Sequence, residues 1–360
     1  MTSILKTIWG LLFRLFPCPT TVGLRRIGNP GPESPVLVTC NFDLTVKRLK
    51  RVLKGLDVWL LVAESKGVNV WCAAGGDEFN TRSVVSVVKT SGIEDKIIRR
   101  TLVLPPLGAP GVNAAEVRSQ TGWNVRWGPV YAADIPRYLA DNYKKNEGMK
   151  RARYDLLERL DTGLGSIFPI YFTGAMGFLI FGRNLLAEYL VAGALAFIVF
   201  MSLCPWIPGR RGITKAFFVD TVLVVTLVII EVSLKPYIAR LRPFLILALI
   251  MIPLYGLELG GLASTMKSDL DPFLARLGIG AVGNVAFAGT VRTELLNGYR
   301  ELTYNEDLCI GCRSCAEICP QGVWKMGENK KAAFVNKDAC TACRACLVQC
   351  KPEAIQAPRV

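Results

Sequence analysis

The sequence predicts three consecutive parts: an α/β domain with a parallel sheet, a helical membrane domain, and a small α+β domain built around cysteines. Three observations support this prediction. Short β-rich runs alternate with helical patterns between residues 30 and 143. Four apolar stretches follow, each close to the roughly 20 residues that a helical membrane span requires. Eight of the twelve cysteines then lie after Leu308, in two runs of the same spacing.

The composition excludes several classes of protein. Hydrophobic residues make up 51% of the chain and the mean hydropathy is +0.34, which are high values for a soluble protein. The net charge of +14 suits anionic lipid headgroups, and no basic stripe interleaved with aromatic residues points to nucleic acid. The chain contains no histidine, which excludes His-ligated zinc or haem and Ser–His hydrolysis.

Residues 1–29 are predicted to form an N-terminal segment outside the α/β domain. The chain from Met1 to Phe16 is apolar but interrupted by Lys6 and Arg14, and no small-residue cleavage site follows. We therefore expect a short amphipathic helix on the inner leaflet of a membrane rather than a signal peptide.

Residues 30–143 are predicted to fold as a Rossmann-like α/β domain. The β-rich runs cover residues 36–39, 58–62, 68–71, 102–104 and 125–127, and helical patterns cover residues 44–53 and 82–89. In parallel sheets of this type, ligands bind beyond the C-terminal ends of the strands. Thr39, Cys40 and Asn41, and the run at residues 72–76, are predicted to lie there.

Four apolar stretches predict a transmembrane domain between residues 162 and 262, after a basic linker at residues 144–161. The stretches cover residues 162–182, 185–206, 216–234 and 244–262. Glu188, Asp220 and Glu231 lie inside them. Acids within a span indicate function, whereas acids near span ends commonly face the interface, and the sequence leaves both interpretations open. A fifth stretch, residues 277–291, is short and rich in glycine. We interpret it as a re-entrant or surface segment of a connector, residues 263–303.

The eight C-terminal cysteines lie within residues 304–360 and form two runs. The first is Cys309, Cys312, Cys315 and Cys319, and the second is Cys340, Cys343, Cys346 and Cys350. This spacing resembles that of bacterial-type ferredoxins, in which three thiolates wrap one [4Fe–4S] cluster and the fourth cysteine binds the other cluster. Cys350 is therefore expected to complete the first cluster and Cys319 the second. The alternative is zinc, but zinc sites pair two Cys-x2-Cys knuckles rather than runs of four.

A further cysteine motif lies in the α/β domain, where residues 69–75 read NVWCAAG. The string places Cys72 at the end of a predicted strand, before small residues that let a large ligand approach the backbone. The other interpretation is a buried core residue, which is the usual place of a free cysteine. Spacing alone favours this second interpretation.

The same string resembles the cap-helix signature of the corrinoid protein of microbial mercury methylation, a family related to the corrinoid iron–sulfur protein of acetyl-CoA synthesis. The similarity extends through residues 36–41, 104–112 (LPPLGAPGV) and 128–136 (GPVYAADIP), and into a multi-span membrane domain. The partner of that family is a separate two-cluster ferredoxin. This chain therefore resembles a fusion of the corrinoid protein with its ferredoxin.

The resemblance implies a cobalamin-type corrinoid and two [4Fe–4S] clusters as cofactors. Cys72 would be the lower axial thiolate on cobalt, and no histidine is present to compete with it. The implied corrinoid contacts are Thr39, Cys40, Asn41, Asn69, Val70, Trp71, Cys72, Ala73, Ala74, Gly75 and Gly108. The implied activity is that of a corrinoid-dependent methyltransferase. It would transfer a methyl group from a Cys-ligated methylcobalt to Hg(II) or another soft acceptor, while the fused ferredoxin reduces the corrinoid.

The implied partners and location follow from that activity. We expect membrane lipid, a methyl donor protein or a methyl-tetrahydrofolate-type donor system, an external low-potential electron donor, and a soft metal or thiol acceptor, but no nucleic acid. The ferredoxin can reduce the corrinoid only from the same side of the membrane, which requires an even number of spans. Four spans would place both domains on the cytoplasmic face of the inner membrane, although Lys235, Arg240 and Arg242 would then lie outside, against the usual loop-charge bias.

Three features depart from the family pattern. Gly76 stands where the family has lysine after the cap string, and Cys40 stands where related corrinoid proteins carry glycine. Residues 352–360 contain no further cysteine, whereas the partner ferredoxin normally ends in a cysteine-containing tail. Because Hg(II) is a soft ion that needs thiolates for capture, we expect weak or no mercury methylation.

Two other functions stay open at this point. The first is a corrinoid methyl carrier in one-carbon or acetyl-CoA metabolism. The second is a membrane electron-transfer protein without methyltransferase activity, in which Cys72 is structural. The spans and the Trp71-Cys72 pair favour the mercury-methylation type over soluble carriers, and a cobalt assay would separate both corrinoid functions from the second alternative.

Overall fold

The structure is a computed structural model, and it describes residues 3–14, 16–153, 155–208, 212–233, 242–259, 302–337, 340 and 343–356. The chain forms two compact units. Unit 1 comprises residues 1–7, 16–153 and 283–360, and unit 2 comprises residues 8–15 and 154–282. Unit 1 therefore contains both the α/β domain and the cysteine-rich domain, which the helical region separates along the chain.

A five-stranded sheet forms the centre of the α/β domain. Its strands are β1 (Gly23–Ile27), β2 (Val36–Cys40), β3 (Val58–Ala63), β4 (Thr101–Leu104) and β5 (Asn124–Trp127), in the order β1-β3-β2-β4-β5. Strands β2 to β5 are mutually parallel, which confirms the predicted parallel sheet. Strand β1 runs antiparallel to β3 at the edge, so the sheet begins before the predicted boundary at residue 30. The sequence analysis missed β1 because a half-buried edge strand carries little hydrophobic signal.

Helices cover both faces of this sheet. They are α2 (Asp43–Val52), α3 (Val70–Gly76), α4 (Thr81–Thr90), α5 (Ala114–Thr121), α6 (Ile135–Ala140) and α7 (Glu147–Lys150), and a further helix, α1, spans Ser3–Leu12. On one face, Leu37, Leu60 and Val62 pack against Val46 and Leu49 of α2. On the other face, α4 packs against β3 and α5. Alternate residues of fully buried strands thus serve two cores, as expected of a doubly wound sheet.

One predicted strand, residues 68–71, is wrong. Residues 64–69 form a loop and α3 begins at Val70, because the Asn69 side chain caps the helix by accepting a hydrogen bond from the Cys72 N–H at 3.1 Å. A short run of branched and aromatic residues favours a strand by propensity. The first N–H groups of a helix lack a partner within the helix, and the asparagine cap favours the helix because it supplies an acceptor to one of them.

Unit 2 consists of long helices. They are α8 (Leu156–Phe181), α9 (Leu186–Leu203), α10 (Gly212–Ser233) and α11 (Arg242–Leu259), which coincide with the four predicted apolar stretches. Among the described residues, two segments are long and apolar enough to cross a membrane, Leu156–Phe181 and Arg183–Leu203. A four-span membrane domain stays a prediction. The predicted fifth segment, residues 277–291, lies outside the described residues.

The cysteine-rich domain is small and internally repetitive. Its elements are β6 (Thr303–Tyr304), α12 (Ser314–Ile318), β7 (Trp324–Met326), β8 (Ala332–Phe334), α13 (Ala345–Gln349) and β9 (Ile355–Gln356). Strand β6 pairs with β9, and β7 pairs with β8, both antiparallel. Arg313 and Arg344 precede the two helices, and both adopt a left-handed backbone conformation with φ of 65° and 68°. The two cysteine runs therefore share a local fold as well as a spacing.

Candidate functional site

The strand order of the sheet reverses at β2, so the functional site is expected at the C-terminal ends of the strands there. Strand β2 pairs with β3 on one side and with β4 on the other. The connections that leave these neighbouring strands therefore diverge, which is the arrangement that opens a ligand site in doubly wound sheets. The loop after β3 leads into α3, and the 3₁₀ turn Pro106–Gly108 follows β4 and contacts α3.

Helix α3 presents Cys72 at the surface. Within residues 70–75, Val70, Ala73 and Ala74 are buried, Trp71 and Gly75 are half-buried, and Cys72 is exposed. The Nδ2 of Asn69 lies 3.3 Å from the Cys72 Sγ and donates to it, while the Asn69 Oδ1 accepts from the Cys72 N–H. One side chain thus fixes both the backbone and the sulfur of Cys72. The helix ends at Asp77, which adopts a left-handed conformation with φ of 72°.

Two glycines allow α3 to lie close to the loop after β4. A side chain at Gly108 would meet the Phe79 ring at 2.8 Å and Val70 at 3.6 Å. A side chain at Gly111 would meet the Ala74 carbonyl oxygen at 2.9 Å. Gly108, which the resemblance implied as a corrinoid contact, is therefore placed beneath α3. Gly111 was not singled out from the sequence, although it belongs to the same run at residues 104–112.

Thr39, Cys40 and Asn41 lie at the end of β2 and are buried, with exposed fractions of 1%, 0% and 3%. Cys40 pairs with Ala63 in the sheet. Burial raises the pKa of the Cys40 thiol above its ordinary value, so the neutral thiol is favoured there. In this conformation these three residues support the edge of the sheet from inside, and their direct contact with a corrinoid stays a prediction.

Asn41 holds the loop that leads to α3. Its Oδ1 accepts hydrogen bonds from the Ser65 N–H at 3.0 Å, the Ser65 Oγ at 2.7 Å and the Gly67 N–H at 2.8 Å. Its Nδ2 donates to the Glu64 Oε1 at 3.0 Å. The Ser65 Oγ in turn donates to the Val68 carbonyl at 2.8 Å. This network sets where Asn69 and the start of α3 lie relative to β2 and β3.

The structure brings the eight C-terminal cysteines together around two small cavities. The first cavity is lined by Cys309, Cys312, Cys315 and Cys350, together with Cys346. The second is lined by Cys319, Cys340, Cys343 and Cys346. We call Cys309, Cys312, Cys315 and Cys350 the first cluster site, and Cys319, Cys340, Cys343 and Cys346 the second cluster site. Each set holds three cysteines of one run and the last cysteine of the other.

The chemistry of these cavities suits iron–sulfur clusters. Tyr304 lines the first cavity and Trp324 lines the second, and each carries a buried donor group that interacts with a cysteine thiol, Tyr304 with Cys309 and Trp324 with Cys346. The sulfur atoms of a bound cluster and its ligands would accept hydrogen bonds from these donors. Among the described residues, no three potential ligands converge on a single ion, and a cubane needs no such convergence because each thiolate binds a different iron.

Burial opposes ionisation of the ligands at the centre of this domain. It raises the pKa of Cys315 to about 12 and raises that of Cys346 well above its usual range. Both thiols would therefore be protonated at neutral pH without a metal. The positive charge of bound iron would hold them as thiolates.

Comparisons with known proteins match the two parts of unit 1 separately. Residues 16–139 match the family model "CO dehydrogenase/acetyl-CoA synthase delta subunit", and residues 301–351 match the model "4Fe-4S dicluster domain". The gamma subunit of the acetyl-CoA decarbonylase/synthase complex of Archaeoglobus fulgidus is 35% identical over 144 residues, which is 38% of this chain and 30% of that protein. The gamma subunit of Methanopyrus kandleri is 37% identical over 131 residues, or 36% of this chain and 27% of that protein.

A bacterial relative gives the same picture. The corrinoid/iron–sulfur protein large subunit of Moorella thermoacetica is 29% identical over 121 residues, or 33% of this chain and 27% of that protein. The chain thus spans less than a third of the length of the curated relatives it matches. The predicted relation to the corrinoid protein of acetyl-CoA synthesis is confirmed for the α/β domain, as is the iron–sulfur character of the C-terminal domain. The mercury-methylation type stays a prediction, and the comparisons favour the one-carbon alternative.

Proposed function

We propose that this chain is a membrane-bound corrinoid iron–sulfur protein that carries a methyl group in one-carbon metabolism. The observation that carries the proposal is the exposed, hydrogen-bonded Cys72 on α3, at the point where the strand order reverses. The similarity of residues 16–139 to an acetyl-CoA synthase subunit family supports a corrinoid at this edge. When bound, a corrinoid carries the methyl group between donor and acceptor, and low-potential clusters keep its cobalt reducible.

The residues around Cys72 suit a large planar ligand. The Cys72 Sγ is the one soft donor in α3, and in this proposal it would hold the cobalt of the corrinoid. Asn69 orients this sulfur from within the same turn through its 3.3 Å hydrogen bond. Of the small residues that follow, Ala73 and Ala74 are buried, and Gly75 is half-buried with open space at the position of a Cβ, so a ligand can approach the backbone there.

The cysteine-rich domain is the electron source in this proposal. The first and second cluster sites would each hold one [4Fe–4S] cluster. Trp324 and Tyr304 would each donate a hydrogen bond to cluster sulfur, an interaction that raises the reduction potential of a cluster. An external low-potential donor would supply the electrons.

The helices of unit 2 anchor the protein in the cytoplasmic membrane in this proposal. The exposed side chains of α8 and α9 are large and apolar, among them Phe181, Leu195 and Ile198, with exposed fractions of 90%, 55% and 52%. Surface of this kind is stable in lipid and costly in water. With four spans, both parts of unit 1 face the cytoplasm, where a methyl donor protein or a methyl-tetrahydrofolate-type system is available.

A second candidate acceptor is Hg(II) or another soft ion, and the thiol of Cys72 is the observation that favours it. A thiolate below cobalt increases electron density on the metal. Methyl transfer to a soft electrophile needs such density, whereas transfer as a methyl cation equivalent does not. The electron density on cobalt therefore distinguishes the two methyl acceptors that the proposal allows, a soft metal ion and a nucleophile such as a thiol.

The test is the metal content and visible spectrum of the full chain, purified anaerobically from cells supplied with corrinoid. We expect one cobalt and eight iron atoms per chain, and EPR signals of reduced [4Fe–4S] clusters after dithionite. Stoichiometric zinc with negligible iron would contradict the cluster sites, and iron without cobalt would leave only an electron-transfer protein. Methylmercury formation from Hg(II), compared with methylation of a thiol, then decides between the two acceptors.

A further inference from the structure

The two parts of unit 1 pack against each other, and Gln349 of α13 makes three of the hydrogen bonds between them. Its Nε2 donates to the carbonyl oxygens of Ala109 at 3.0 Å and Val112 at 2.7 Å. Its Oε1 accepts from the Ala114 N–H at 3.2 Å. The side chain is 7% exposed, so these bonds are shielded from water. A buried amide that is satisfied at both ends fixes the backbone it contacts.

A second contact joins α12 to the segment after the α/β domain. The Arg151 Nη1 donates to the Cys319 carbonyl at 3.0 Å, and the Ala152 N–H donates to the Pro320 carbonyl at 2.9 Å. The Glu317 carboxylate lies 3.2 Å from the Lys145 Nζ and 2.7 Å from the Lys150 Nζ. Lys145 is nearly buried, so this ion pair is less screened than one on the surface.

The apolar part of the contact contains a cysteine of the second cluster site. Ala109, Ile318 and Ala345 form a buried group, and Trp127 and Cys343 pack against it. Ala109 and Trp127 belong to the α/β domain, at the C-terminal edge of its sheet. The second cluster site therefore touches the α/β domain through Cys343 here and through the Cys319 carbonyl at Arg151.

The first cluster site differs in its exposure. Cys312 is exposed, and the neighbouring Leu308 and Ile310 have exposed fractions of 44% and 69%. In the second cluster site, Cys319 and Cys346 are buried and Cys340 and Cys343 are half-buried. Cys315 of the first site is buried and Cys309 and Cys350 are half-buried, so the two sites differ mainly at one cysteine each: Cys312 meets solvent, whereas Cys343 meets the α/β domain.

From this asymmetry we infer that the two clusters act in a fixed order, with electrons entering at the first cluster site and leaving through the second towards Cys72. The inference rests on the proposed function and deepens it. Leu308 and Ile310 then form the apolar rim on which a low-potential, one-electron donor protein docks beside Cys312. Gln349 is a positioning residue, because it holds α13, which carries Cys346 and is followed by Cys350, against the α/β domain without touching the reacting atoms.

A series of packed residues leads from the second cluster site to Val70 at the start of α3, the helix that carries Cys72. Cys343 packs with Ala109, whose neighbour Gly108 lies beneath Val70 of α3. Cys72 follows two residues after Val70, on the next part of the same helix. Electron tunnelling weakens steeply with distance, so the cluster that contacts this series is the one placed to reduce a ligand at Cys72.

The electron balance is one for one. An external donor loses one electron, and the cluster of the first site passes from its 2+ to its 1+ state. That cluster returns to 2+ when it reduces the cluster of the second site. The second cluster would return to 2+ in turn when its electron passes to a corrinoid held at Cys72, which would gain one electron. No proton or leaving group is involved in these steps.

The test marks each cluster separately in the full chain. Cys312→Ser and Cys343→Ser each replace one thiolate with an alkoxide ligand, which alters the EPR signal of one cluster. In samples poised at a potential where cobalt(II) and reduced clusters coexist, paramagnetic cobalt should broaden the EPR signal of the nearer cluster. We therefore expect the altered signal to be broadened in the Cys343→Ser protein and to stay sharp in the Cys312→Ser protein. If a serine variant fails to build its altered cluster, the signal of the remaining cluster gives the same answer. Broadening of the first-site signal instead would overturn the order.

A second arm needs no ligand substitution and no corrinoid. Gln349→Ala should raise amide hydrogen exchange at Ala114 at least about 10-fold, which corresponds to a loss of about 1.4 kcal/mol. Gln356→Ala, an exposed glutamine of β9 in the same domain, is the matched control and should leave that exchange unchanged. In cobalt-loaded protein, Gln349→Ala should also weaken the cobalt–cluster coupling. Unchanged exchange and coupling in Gln349→Ala would overturn the inference, whereas a chain that binds no cobalt would instead overturn the proposed function.

Discussion

Cys40 and Cys72 lie at the same edge of the sheet, one at the end of β2 and the other just beyond β3, yet their surroundings are opposite. Cys40 is paired within the sheet and inaccessible, and burial raises its pKa. Cys72 is exposed, and Asn69 donates a hydrogen bond to its sulfur. Both thiols lie at this edge of the sheet, so position along the sheet does not decide which one a metal can reach. The loop at residues 64–69 does, because it carries the chain out of the sheet before Cys72.

The largest expected effect is that of Cys72→Ala. Removing the only exposed thiol of the α/β domain should abolish thiolate coordination of cobalt and lower methyl transfer by more than about 100-fold, beyond the effect usual for an outer-shell residue. The iron content should not change. Cobalt analysis and visible spectroscopy check this, and a variant with the original cobalt spectrum and activity would show that Cys72 is structural.

Asn41→Ala should have the next largest effect, through the loop rather than through the metal. Loss of the amide leaves the buried Gly67 N–H without its acceptor, at a cost of about 2 kcal/mol, whereas the Ser65 N–H keeps the Glu64 Oε1 at 3.0 Å. Amide hydrogen exchange in the loop at residues 64–69 should rise accordingly. A protein in which that exchange is unchanged would show that the loop is held by other contacts.

Asn69→Ala isolates the hydrogen bond to the sulfur. Loss of the cap should cost about 1 kcal/mol of helix stability, and loss of the donor to Sγ should weaken cobalt retention about 10-fold. Asn80→Ala is the matched control, because Asn80 caps α4 in the same way, accepting from the Ser83 N–H at 2.9 Å. Equal cobalt retention in the two variants would contradict a role for Asn69 in orienting the thiolate.

Cys40→Ala should have the smallest effect, a loss of about 1 kcal/mol in the free energy of unfolding from the removal of one buried atom, with an unchanged cobalt spectrum.

The pH dependence of the stability gives a sharper measurement. Because burial raises the pKa of folded Cys40 above 9.0, only the unfolded thiol ionises as the pH rises through 9.0, so this contribution to stability is full below pH 9.0 and is lost above it. The thermal stability of Cys40→Ala should therefore fall less between pH 8 and pH 10 than that of the original chain.

Local patterns account for most of what the sequence predicts correctly. Strands β2, β3 and β4 are largely apolar runs and the long helices are apolar stretches. The cysteine spacing occurs twice, each time within a run of eleven residues. Strand β1 escaped prediction because its two arginines and half-buried face resemble a loop. The strand predicted at residues 68–71 was wrong because a single side chain, Asn69, decides the helix start.

Contacts distant in sequence were beyond prediction from one chain. Nothing in the string around Gln349 indicates that it binds the backbone at Ala109 and Val112, because a glutamine on a short helix is ordinarily a solvated residue. The supporting role of Asn41 was hidden for the same reason. The sequence identified the end of β2 as part of the site, but only the packing shows that its side chains face inward, towards the loop.

The contacts of Gln349 also determine when this protein finishes folding. Gln349 and the Ala109 carbonyl are separated by 240 positions along the chain. At the usual rate of synthesis, roughly 12–48 s pass between the emergence of the two partners. Through this interval the backbone at Ala109 and Val112 has no partner from α13, while the intervening helices are being made. Completion of unit 1 is therefore a late, long-range step, so a ribosome that stalls before the last cysteine run leaves an α/β domain with an open, unsatisfied surface.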